Sequence, residues 1–207
     1  MSPTEEPRVF IVDDDEAVRD SLAILVETRG LAVKTFSSGN EFMESLSPTW
    51  TGCVFIDVRM PGIDGLEVQR QLVASKSTLN VVIMTAHGDV PMAVKAMKAG
   101  AVDFLEKPIE PQQLLETLQR HINVRPSGAQ NSEQANEARP RFDKLTAREK
   151  EVLTFLVKGA PNKVIAFEMG ISPRTVELHR AHVMQKMAAS SLSHLVRMAL
   201  AIGVNPP

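Results

Sequence analysis

At 207 residues and 43% apolar side chains, the chain is long for one ordinary domain and sufficient for two packed cores. No run approaches ~18 apolar residues, the start MSPTEEPR has no apolar signal core, and the single Cys53 excludes a disulfide framework, so a cytoplasmic protein without a membrane partner is expected. The net charge of −2 hides a division, with acidic residues predominating up to Asn123 and basic ones from Arg141 onward.

Five short apolar runs come first: VFIV (Val9 to Val12), LAVKTF (Leu31 to Phe36), CVFI (Cys53 to Ile56), VVIM (Val81 to Met84) and VDFL (Val102 to Leu105). Several are unbroken rather than alternating, as in strands covered on both faces. Helical patterns start near Glu16, Asn40, Leu66, Val90 and Pro111, with Asp15 placed to cap the first and Gly30 and Gly100 where helices should stop. Alternating strand and helix predicts an α/β domain with a parallel, doubly wound sheet, whose ligands bind beyond the carboxyl ends of the strands.

Those ends carry Asp13, Asp14 and Asp15 after the first strand, Asp57 after the third, Thr85 on the fourth and Lys107-Pro108 after the fifth. Clustered carboxylates repel unless a cation joins them, and magnesium prefers hard oxygen donors and keeps several waters. A phosphoryl group at such an edge needs a nucleophile, the metal, a second positive charge and a hydrogen-bond donor, and Asp57, Mg2+, Lys107 and Thr85 supply them. Taken singly, a strand-end threonine or a Lys-Pro is ordinary structure, and Phe104 is ordinary core. The competing assignment is a magnesium-dependent phosphohydrolase with Asp13 of the D-x-D pair Asp13/Asp15 as nucleophile. A third is a phosphate sink or adaptor.

Residues 124–140, VRPSGAQNSEQANEARP, have almost no large apolar side chains and read as a flexible linker between a domain at 7–123 and another at 141–207. The last part is helical by pattern. A capping box, Thr146 with Glu149, opens one helix that ends at Gly159; a short helix runs from Asn162 to Gly170; Ser172 and Pro173 start a longer one through Met187; a last covers Ser193 to Ile202. Two helices joined by a tight glycine turn form a helix-turn-helix, with the second in the major groove. On that helix Val176, His179, Val183 and Met187 share one arc and Arg174, Glu177, Leu178, Ala181 and Gln185 the other, which is the candidate base-reading face beside Thr175. Lys163, Arg180 and Lys186 lie where phosphates could be bound. His179 and His182 have no second ligand set for a metal. Charge and pattern alone also allow a protein-binding helical domain.

The set Asp13, Asp14, Asp57, Thr85 and Lys107-Pro108, with the wording DVRMPGIDG and TAHGDVPMAVKAMKAGAVDFLEKP, resembles the receiver domain of two-component response regulators and is close to the FixJ branch. The resemblance implies the flavodoxin-like strand order 2-1-3-4-5. It implies Asp57 as phosphoacceptor, Asp14 and Asp57 as direct ligands of one Mg2+, Asp13 acting largely through water, and the backbone carbonyl of Arg59 completing the protein's share. Thr85 and Lys107 would bind the phosphoryl oxygens. Thr85 would move inward and Phe104 would fill the space it leaves, Ala86 would leave access for phosphate, and Arg59 and His87 would tune the phosphoryl lifetime. From LTAREKEVL to QKM the chain resembles the four-helix LuxR-type DNA-binding domain, covering Leu145 to about Gly203, although relatives often carry a basic residue where Glu177 stands. Together these imply a transcription factor rather than a metabolic enzyme, with only self-catalysed phosphoryl transfer and slow autodephosphorylation. A sensor histidine kinase would phosphorylate Asp57; a homodimer would form near Val90, Val94, Lys95, Lys98 and Phe104; the dimer would bind two-fold sites on double-stranded DNA and engage RNA polymerase, activating transcription.

Overall fold

The structure is a computed structural model and describes residues 8–86, 90–123 and 129–204, with the side chains at 90 and 129–134 excepted. Contacts divide the chain into two units, Met1–Gly88 with Ala99–Pro126, and Asp89–Lys98 with Ser127–Pro207.

Five parallel strands, β1 (Val9–Val12), β2 (Val33–Phe36), β3 (Gly52–Asp57), β4 (Leu79–Thr85) and β5 (Asp103–Glu106), form one sheet in the order β2-β1-β3-β4-β5. The helices that alternate with them are α1 (Glu16–Glu27), α2 (Gly39–Ser45), α3 (Gly65–Ala74), α4 (Val90–Lys98) and α5 (Pro111–His121). β1, β3 and β4 are buried along their whole length, which explains why their sequences do not alternate. On one face Leu22 and Val26 of α1 and Leu114 and Leu118 of α5 close over Val9, Ile11, Phe55 and Met84. On the other an aromatic cluster forms around Phe10, against which Trp50 stacks with centroids 4.3 Å apart and planes 23° from parallel. Phe42 meets Phe36 edge-on at 5.2 Å.

The predicted punctuation is observed. The Asp15 carboxylate accepts from Ala17 N at 2.9 Å and caps α1, and Gly30 and Gly100 take φ of 71° and 100° where α1 and α4 stop. β2 starts two residues later than the sequence pattern predicts, at Val33, whereas β3 and β4 are longer at both ends.

The rest of the chain forms α6 (Ala129–Asp143), α7 (Ala147–Lys158), α8 (Asn162–Met169), α9 (Pro173–Met187) and α10 (Leu192–Ala201). Their core is built from Val152, Leu153, Leu156, Ile165, Val176, Val183, Met187 and Leu195, each 1% exposed or less. The capping box at Thr146 and Glu149 is present in full, and Gly159 and Gly170 end their helices at φ of 80° and 64°.

One expectation is corrected: residues 124–140 are not a tether throughout, because α6 occupies them from Ala129 onward. Ala138 is fully buried in the helical core with Phe142 packed against it. Arg139 donates to Ile202 O at 3.3 Å and Arg141 to Met187 O at 3.5 Å, placing cations at the carboxyl-terminal ends of α10 and α9 where the helix dipoles are negative. The segment is ordered by the helices it packs on and caps, with little apolar surface of its own, so composition alone misses it.

Candidate functional site

Register brings the acidic strand ends together. Val12 lies beside Ile56, so Asp13 and Asp57 leave the sheet side by side, and Thr85 pairs with Glu106. Lys107 N donates to Thr85 O at 2.8 Å, holding the residue at the same edge, and the Lys107-Pro108 peptide is cis. Lys107 Nζ lies 2.6 Å from Asp13 Oδ2 and 2.6 Å from Asp57 Oδ1. The second oxygen of Asp57 accepts from Arg59 N at 2.6 Å, and that of Asp13 from Asp15 N at 3.1 Å. Asp13, Asp57 and Thr85 are buried, whereas Asp14, Arg59 and Ala86 are exposed at the rim.

The electrostatics are those of a charge cluster short of positive charge. Burial pushes the Asp13 carboxyl above its ordinary value, and Asp57 adds to the push, against the pull of the Lys107 ammonium and the Asp15 N–H. Burial alone would lower Lys107, but hydrogen bonds to the two carboxylates hold its proton more tightly than usual. One ammonium therefore serves two carboxylates, and the more buried of them is costly to ionise.

A divalent cation fits these residues. Among the described residues no group of three or more His, Cys, Asp or Glu side chains forms a ready-made metal cage. Magnesium does not need one, since it binds through one or two carboxylates and keeps waters. The oxygens on offer are hard donors, and the buried Asp13 gains from a second positive charge nearby.

Two contacts at this edge have no signature in the sequence. Arg19, one turn into α1, donates from Nη1 to Asp13 O at 2.8 Å. Gly65, the first residue of α3, lies so close under β3 that a Cβ there would overlap the carbonyl oxygen of Asp57. The first is a local contact across the β1–α1 turn and the second a tertiary approach, and periodicity and composition report neither.

The remaining expected residues divide. Phe104 and Val94 are buried, while Lys95 and Lys98 are exposed. His87 and the Val90 side chain lie outside the described residues.

In the helical unit Ser172 caps α9, accepting from Thr175 N at 3.1 Å, and its hydroxyl lies 2.8 Å from that of Thr175. Arg174, Glu177, Leu178, Ala181 and Gln185 are all exposed on α9, and Val176, Val183 and Met187 are buried opposite them, with His179 between. The basic residues differ in availability. Lys163 on α8 is exposed, but Arg180 donates to Asn162 Oδ1 at 2.7 Å, and Lys186 Nζ lies 2.7 Å from Glu149 Oε2. Partial burial lowers Arg180 from its ordinary value.

Residues 9–119 match the response regulator receiver domain family, and residues 143–199 match the bacterial regulatory proteins of the luxR family. Over 198 residues the chain is 48% identical to the transcriptional regulatory protein FixJ of Azorhizobium caulinodans, covering 96% of this chain and 94% of that one. It is 41% identical over 190 residues to the response regulator TodT of Pseudomonas putida, covering 92% and 84%. Among solved structures, full-length FixJ from B. japonicum is similar with a TM-score of 0.53 at 45% identity, covering 94% of this chain and 96% of that one. The response regulator StyR gives a TM-score of 0.54 at 42% identity, with 93% and 97% covered. The chain belongs to the FixJ-like two-component response regulators, transcriptional regulators with a receiver domain and a LuxR-type DNA-binding domain.

Proposed function

We propose that Asp57 accepts a phosphoryl group from a sensor histidine kinase and that phosphorylation gates dimerisation and DNA binding. The observation that carries this reading is the Lys107 ammonium held between Asp13 and Asp57 at the carboxyl edge of the sheet. An Asp57 oxygen attacks the phosphorus of the kinase phosphohistidine, the P–N bond breaks, and the imidazole leaves with its electron pair. Lys107 then turns from the carboxylate to a phosphoryl oxygen, and the Thr85 hydroxyl, at the end of β4, donates to another. Asp14, Asp57 and the Arg59 carbonyl would hold one Mg2+, with Asp13 acting through water. That ion would supply charge neutralisation to the transferred group. Arg59 and His87 would tune the phosphoryl lifetime, and Ala86 would leave access for phosphate.

The phosphohydrolase alternative fits less well. It leaves the LuxR-type domain matched at residues 143–199 without a role.

Withdrawal of Thr85 would draw Phe104 inward, and the face of α4 and β5 around Val90, Val94, Lys95 and Lys98 would pair with a second copy. The dimer would set two α9 helices on a two-fold site, where Arg174, Glu177, Leu178, Ala181 and Gln185 read base edges beside Thr175, Lys163 meets the backbone, and Arg180 fixes the helix pair. A cytoplasmic location and activation through RNA polymerase belong to the same reading. Among the described residues no helix is long and apolar enough to cross a membrane.

Selection of genomic DNA fragments with and without beryllofluoride and Mg2+ tests the reading. Enrichment of a two-fold motif only with beryllofluoride, and none with Asp57→Ala, is the expected result. Equal enrichment in both states removes phosphorylation as the gate, and enrichment in neither removes DNA as the partner.

A further inference from the structure

We propose that Arg19 is a positioning residue for the site: by holding the carbonyl of Asp13 it aims the next residue, Asp14, at the magnesium ion. The inference rests on the phosphorylation-site reading above.

Asp13 and Asp57 are fixed by their strands and by Lys107. Asp14 is exposed, and no hydrogen bond to its carboxylate is found among the described residues. Its direction is therefore set by the backbone that carries it. That backbone is tied on three sides. Asp13 N donates to Phe36 O at 3.2 Å. Asp15 is fixed by capping α1 and by donating to Asp13 Oδ1. Between them stands the Asp13–Asp14 peptide, and its oxygen accepts from Arg19 Nη1 at 2.8 Å.

A peptide is planar, so fixing its oxygen fixes the opposite N–H and the direction in which the next Cα leaves. Without the guanidinium that plane could rotate between Asp13 and the α1 cap, and the Asp14 carboxylate would sweep an arc. Arg19 itself is partly buried on α1 and adds positive charge near Glu41, whose carboxyl is held low chiefly by the Ser37 hydroxyl and N–H. Its forked, always charged head suits a fixed carbonyl contact better than a lysine would. Partners of this kind, one shell out from a metal, typically change affinity about ten- to a hundredfold when removed.

The test is calorimetric titration of Mg2+ into the full chain, with Tm recorded with and without Mg2+, for wild type, Arg19→Ala, Arg19→Lys and Asp14→Asn. Expected are Mg2+ binding about ten- to a hundredfold weaker in Arg19→Ala, partial recovery in Arg19→Lys, and a metal-free Tm close to wild type in both. Wild-type affinity in Arg19→Ala overturns the inference. If Arg19→Ala does not fold, Arg19→Lys decides: weaker Mg2+ binding at an unchanged metal-free Tm supports the positioning role, and unchanged binding at a lowered Tm makes Arg19 structural only. Absence of saturable Mg2+ binding by wild type, or wild-type affinity in Asp14→Asn, rejects the metal site itself and with it the reading on which the inference rests.

Discussion

A methyl group at Gly65 would run into the carbonyl oxygen of Asp57, and this fixes how the end of β3 is supported. Alanine is intrinsically better than glycine in a helix by about 1 kcal/mol, so any loss in Gly65→Ala must come from that contact. The expected outcome is a destabilisation of about 1–3 kcal/mol in urea unfolding, the range for overpacking, with slower labelling of Asp57 by acetyl phosphate. A second residue-scale prediction concerns Glu149. Burial would raise its carboxyl, but hydrogen bonds from Lys186 and Thr146 bring it from 4.5 down to about 2. A folded value below the unfolded one means that its contribution is complete above pH 4.5 and is lost as pH falls through about 2. Lys186→Met should therefore move the acid-unfolding midpoint of the helical unit to higher pH, measured by circular dichroism. An unchanged midpoint would show that the Glu149 ion pair does not govern acid stability.

At the scale of elements, the HTH pair separates basic residues that look alike in sequence. Exposed Lys163 is free to meet phosphate, so Lys163→Ala should weaken binding to all DNA sequences and reduce the salt slope by about 1. Arg180 spends its guanidinium on Asn162. Arg180→Ala should instead cost about 1 kcal/mol of stability and leave the salt slope nearly unchanged. The same scale shows what sequence can and cannot report. Asp13, Asp57, Thr85 and Lys107 are legible because strand order alone delivers strand-end chemistry to one edge, and α9 is legible because its buried and exposed arcs follow the helical period. Arg19 and Gly65 are not, since each acts on a backbone oxygen, which leaves no mark in side-chain pattern or composition. α6 is not, since its order comes from one small buried side chain, Ala138, and from the ends of α9 and α10.

For the whole molecule, α6 decides where the helical unit begins. A fragment starting at Ala129 keeps Ala138 in the core and Arg139 on the end of α10, and one starting at Arg141 loses both. The shorter fragment should melt lower by about 4–8 °C for each kcal/mol lost, and equal melting temperatures would return residues 129–140 to the role of a tether. The aromatic cluster makes the intact chain easier to dissect. The protein has one tryptophan and no tyrosine, and Trp50 stacks on Phe10 in the sheet unit. Its emission is thus a private optical reporter of the receiver half, while far-ultraviolet dichroism sees both halves. Denaturation curves from the two signals, recorded on one sample, will coincide if the halves unfold together and separate if each melts alone.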